Sequence, residues 1–130
     1  SATNTLTGLA GQGSEGDTMI GTFIDSGGTQ NAVIRSTDGG NSWGAGGTLP
    51  VADNWTAVAY GNGTFVALAG TAATPSNNAA YSTDGGSSWT ASTLPATSAW
   101  SKIIFAKDRF VALTVYILAF VLTIFFSIEL

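Results

Sequence analysis

The stretch "STDGGNSW", Ser36 to Trp43, returns 46 positions later as "STDGGSSW", Ser82 to Trp89. Asp side chains fold back onto nearby backbone N–H groups, and the following Gly-Gly adopts dihedrals that other residues resist, so each copy reads as a tight turn. Its return at this spacing marks an internal repeat. At the same offset "QNAVIRSTDGGNSW" lies over "SNNAAYSTDGGSSW", and Thr18-Met19-Ile20 lies over Thr64-Phe65-Val66. At an offset of 45, "TLP" at Thr48 to Pro50 falls on Thr93 to Pro95, and "WTAVAYGNGTFVAL" from Trp55 falls on "WSKIIFAKDRFVAL" from Trp100. The repeat therefore divides a body, residues 1–113, into units of about 9–54 and 55–99 with a partial third over 100–113. An apolar C-terminal segment follows, residues 114–130.

Within a unit, short apolar runs alternate with turn residues. Trp55 to Tyr60 alternates until "GNG", a hairpin signal, and Thr64 to Leu68 forms the next run. Ala79 to Ser82 supplies a third strand, and a fourth begins near Trp89. Four antiparallel strands in roughly 40–50 residues describe one blade of a β-propeller, and no stretch of the body has helical period. The fold class expected is all-β: two complete four-stranded blades and a partial third. Such a sheet cannot bury both faces alone, so neighbours must stack. Trp43 and Trp89 are expected to act as apolar anchors between them.

The pattern of Ser36, Asp38, Gly40 and Trp43, repeated as Ser82, Asp84, Gly86 and Trp89, resembles the Asp-box or BNR repeat. That repeat occurs in sialidase-type propellers, in photosystem assembly factors of similar design, and in phage tail or virion proteins. The resemblance covers roughly residues 9–113. It implies that these eight residues build structural hairpins between third and fourth strands, away from any catalytic centre. Two blades and a fragment do not close a ring of about four to eight, so a homo-oligomer or other virion subunits are the expected partners.

Composition excludes several chemistries. With no Cys and no His, thiolate chemistry and the commonest metal ligand and general base are absent. Four basic residues and a net charge of −4 leave no footprint for nucleic acid. A sialidase-like hydrolase fragment, the enzymatic alternative, would need three clustered arginines and paired carboxyl groups. The chain has only Arg35 and Arg109, and its glutamates are Glu15 and Glu129. "DGGNS" lacks the alternating acids and terminal Glu of a calcium loop. The reading is therefore non-enzymatic, with no cofactor and no metal.

Binding is the remaining prospect. Strand alternation gathers Asp53, Asn54 and Trp55 with Asn77, Asn78 and Trp100 at one end of the sheets. Indoles beside Asn and Asp suit the C–H faces and hydroxyls of a surface glycan, whereas the competing view is that both indoles simply fill space between sheets.

The tail obeys another logic. All seventeen glycines lie between Gly8 and Gly86, and "VALTVYILAFVLTIFFSI", residues 111–128, carries no charge. Eighteen such residues are just long enough for a membrane helix, which would make the chain a membrane-anchored surface or assembly factor. Their β-branched and aromatic content argues equally for buried strands, and an aberrant tail is the third option. The most concrete setting is a virion or extracellular appendage.

Overall fold

The computed structural model describes residues 3–25, 29–117 and 121–128. The chain is all-β, and its described residues form three antiparallel sheets that follow one another along the sequence. The first holds β1 (Asn4–Gly11), β2 (Met19–Asp25), β3 (Gln30–Ser36) and β4 (Gly44–Asp53), paired in chain order. The second repeats this with β5 (Trp55–Gly61), β6 (Thr64–Ala69), β7 (Ser76–Ser82) and β8 (Thr90–Ser98). The third contains β9 (Trp100–Ala106), β10 (Arg109–Ile117) and β11 (Val121–Ile128). A short 3-10 turn, Gly13–Glu15, interrupts the first connection.

The first unit starts earlier than its sequence repeat indicated, at Asn4 rather than near Leu9. Its opening strand aligns with the second at an offset of 49, "LTGLAG" from Leu6 over "WTAVAY" from Trp55. Seven residues separate Gly11 from Met19 where four separate the aligned Tyr60 and Phe65, and this three-residue insertion hides the match from a search at 46. The tail takes the strand form, one of the three expected of it. Residues 111–128 are not one helix: β10 runs straight through the expected boundary at 113/114 and pairs with β11 from Phe110↔Ile128 to Ile117↔Val121. No described helix is long and apolar enough to cross a membrane. β-branched residues lose side-chain freedom in helices and pack well on a pleated surface, which is why this composition forms strands.

Each opening strand carries a bulge at the same place. Pairing skips from Leu6 to Gly8, from Trp55 to Ala57, and between Lys102 and Trp100, leaving Thr7, Thr56 and Ser101 as the extra residues. In an unbroken strand Trp55 and Ala57 would share a face. Instead Trp55 joins the core shared with the first sheet, beside Ile20, Val33 and Leu49. Ala57 joins the core shared with the third, beside Trp100, Ile103 and Phe110. Strand β6 alternates cleanly: Phe65, Ala67 and Ala69 face one core, Val66 and Leu68 the other. The second sheet is thus buried on both sides, and β5 packs between β1 and β9.

Where the first two sheets meet, backbones touch. The Gly47 amide donates to the Gly86 carbonyl at 2.8 Å, and a Cβ at Gly47 would sit 2.4 Å from the Ser87 carbonyl oxygen. Gly47→Ala should therefore destabilise the protein by about 1–3 kcal/mol. Gly44→Ala, whose added methyl meets no atom within 4 Å, should change little. Denaturant midpoints of the two variants check this, and equal midpoints would contradict the packing described.

Candidate functional site

The repeated corner assembles from its own side chains. Ser36 Oγ donates to Asp38 Oδ1 at 2.8 Å while accepting the Gly40 amide at 2.9 Å. Asp38 also accepts the Ser42 amide at 2.9 Å and the Ser42 hydroxyl at 2.5 Å. The second corner repeats these bonds through Ser82, Asp84, Gly86 and Ser88. Such closure needs left-handed backbone, and φ is +71° and +92° at Gly39 and Gly40, +71° and +83° at Gly85 and Gly86. Each corner joins a third strand to a fourth. Donors from Ser42, then Ser36, hold the Asp38 carboxyl down at about 2, and Ser88 with Ser82 holds Asp84 at about 2. These carboxylates remain ionised acceptors and are poorly suited to proton donation near neutral pH.

The two tryptophans of the corners part company. Trp89 packs against the core between the first and second sheets, as expected of an anchor. Trp43 is 41% exposed, which corrects its expected role. No described sheet precedes the first one, so the indole meets solvent where Trp89 meets a neighbour. Their N–H groups differ accordingly. Trp43 Nε1 donates to the Gly40 carbonyl at 3.1 Å, whereas the equivalent Gly86 carbonyl is taken by Gly47. The Trp89 Nε1 is buried without a partner among the described residues.

At the other end, the expected binding residues are only partly brought together. Asp53 accepts from Ser76 Oγ at 2.6 Å, from Asn78 Nδ2 at 2.7 Å and from the Asn54 amide at 2.7 Å. Asn54 Nδ2 donates to Thr74 Oγ1 at 2.5 Å. Asn77 is half-buried on β7, between Ser76 and Asn78. Trp55 and Trp100, however, are fully buried, with their indoles donating to the carbonyls of Val51 and Ala96. They offer no stacking platform for a sugar; they are the largest side chains of the two inter-sheet cores. Apolar burial of so large a ring outweighs display at a loop face.

Sequence reading missed the bulged hydroxyls. Thr7 Oγ1 donates to the Trp55 carbonyl at 2.7 Å, and Thr56 Oγ1 to the Trp100 carbonyl at 2.5 Å. The first two opening strands are thereby each tied to the one that follows. The signal is the triplet in "LTG", "WTA" and "WSK", visible once the offset of 49 is recognised. Thr7, Thr56, Thr71 and Ser101 line an open cleft of about 390 Å³ with Gly70, Ala72, Ala99 and Trp100. The role of Arg35 was missed as well: its Nε donates to the Gly85 carbonyl at 2.7 Å, from the first sheet to the second corner. Among the described residues no group of three or more acidic, His or Cys side chains is placed to hold a metal. No protein-family model matches the chain, and no curated protein matches it significantly.

Two outcomes follow for stability. Both corner carboxyls lie below their ordinary value of 3.8 in the folded protein. Their contribution is complete above pH 3.8 and is lost as pH falls through about 2. A urea midpoint followed across pH should drop over that window, and Asp38→Asn/Asp84→Asn should flatten the drop while lowering stability at neutral pH. Thr56→Val removes the hydroxyl bond to the Trp100 carbonyl and should cost about 0.5–1.5 kcal/mol, whereas Ser101→Ala, at an exposed position, should cost under about 0.5 kcal/mol.

Proposed function

We propose that this chain is a non-enzymatic structural module: propeller-type blades of the Asp-box kind, working within a larger assembly such as a phage tail or virion appendage. One observation carries the reading. The polar groups that chemistry would need are engaged in holding backbone: Asp38 and Asp84 in their corners, Asp53 at the loop end, Arg35 across the sheet joint. The two loop-end indoles, the other candidates for contact with a ligand, are core. A body so poor in charge and so rich in Gly, Ser, Thr and Asn suits a packed appendage, where neighbours rather than water meet much of the surface.

The hydrolase alternative finds little support in this geometry. Arg35 lies on β3 of the first sheet and Arg109 opens β10 of the third. Glu15 accepts the Tyr60 hydroxyl at 2.6 Å, a contact that raises the phenol's pKa above its ordinary value. Fluorogenic sialosides and other aryl glycosides should not be turned over, and Arg35→Ala should lower the unfolding midpoint rather than any activity. Turnover that disappears in Arg35→Ala would reverse this conclusion.

A further inference from the structure

The end faces of the three-sheet stack carry the same elements as its internal joints. Residues of β1 that align with Trp55 and Val58 are Leu6 and Leu9. In the second sheet those two positions are 0% and 7% exposed, covered by the first sheet; in the first sheet they are 55% and 50% exposed. Trp43, the counterpart of Trp89, stands at the outer rim of this face. At the opposite end, Ser101 and Ile104 of β9 hold the positions of Thr56 and Ala59. Ala59 is buried in the core facing the third sheet, but Ile104 is 47% exposed and Ser101 is exposed as well. Val111 and Leu113 alternate with the buried Phe110 and Ala112 and extend that face.

We infer that a second copy of this chain docks head to tail, its first sheet on the outer face of the third sheet, repeating the joint already made twice within the chain. The hydroxyl tie indicates the register. Thr7 reaches the Trp55 carbonyl and Thr56 the Trp100 carbonyl, so Ser101 is the donor left over and the Leu6 carbonyl of the next copy is the matching acceptor. Both ends are apolar, and each presents the half that the other lacks, which favours this heterologous contact over a self-complementary pair. One residue departs from the pattern. Lys102, exposed, stands where Gly8 and Ala57 allow close approach; in the docked pair its long side chain has to reach past the joint to water, which holds the two copies slightly apart. Lys102→Ala should therefore tighten association.

The inference rests on the structural reading above, yet the two fail separately: glycoside turnover counts against that reading, while a lone monomer counts only against this contact. Sedimentation of the wild-type chain across a concentration series should show self-association. Leu9→Asp and Ile104→Asp should each weaken it by about tenfold or more. Mixed together, those two variants retain one intact head and one intact tail and should form a 1:1 pair and nothing larger. A wild-type monomer at every concentration would overturn the inference, as would association that survives Leu9→Asp. Because the chain has no cysteine, Leu6→Cys and Ser101→Cys variants give a second measurement independent of those folds. Mild oxidation of their mixture should yield the 6–101 disulfide, and products joined only 6–6 or 101–101 would overturn the head-to-tail register.

Discussion

A carboxylate that accepts an amide and two hydroxyls within one eight-residue corner is the constraint on which the rest of this structure depends. With Asp38 or Asp84 satisfied locally, two successive glycines are held in left-handed backbone. In the second corner the carbonyls of these glycines become the grip for the neighbouring sheet, Gly85 receiving Arg35 and Gly86 receiving Gly47. A device that closes a hairpin therefore also sets where the next sheet lies. The price of the arrangement is visible at Trp89, whose ring is packed while its N–H has no described partner.

The second constraint acts near the start of each opening strand. A single extra residue changes which face the preceding side chain reaches, so Trp55 and Ala57 serve opposite cores. Without that bulge one of the two sheet joints would lose its largest side chain. The extra residue is Thr, Thr or Ser, and in the first two sheets its hydroxyl supplies a hydrogen bond to the next sheet. Burial and hydrogen bonding are thus served by the same irregularity. Direct backbone contact at Gly47 adds a third requirement, since only a residue without Cβ fits between two chains so close.

Much of this was legible beforehand. The two corners, their place between third and fourth strands, and the short alternating strands of the second unit follow from spacing and turn chemistry at Asp38 and Asp84. The first strand escaped because Gln12 to Thr18 lengthens one connection and breaks the period. Of the two roles weighed for Trp55 and Trp100, ligand contact and filling of the space between sheets, the structure shows the second; strand direction places a residue at one end of a sheet but does not say whether its side chain turns into the joint. The tie made by Arg35 escaped because its acceptor, Gly85, lies 50 residues away at the corner of another sheet.

By itself the sequence determined the all-β class, the repeating unit and the geometry of its corners, because these depend on local contacts among residues a few positions apart. Only the tertiary structure decided which aromatics are core, which face of the first sheet is left uncovered, and that residues 111–117 and 121–128 pair as strands. Those outcomes depend on what lies across a joint. A side chain such as Trp43 or Trp89 has the same local pattern in both copies, and the presence or absence of a neighbouring sheet alone sets its environment.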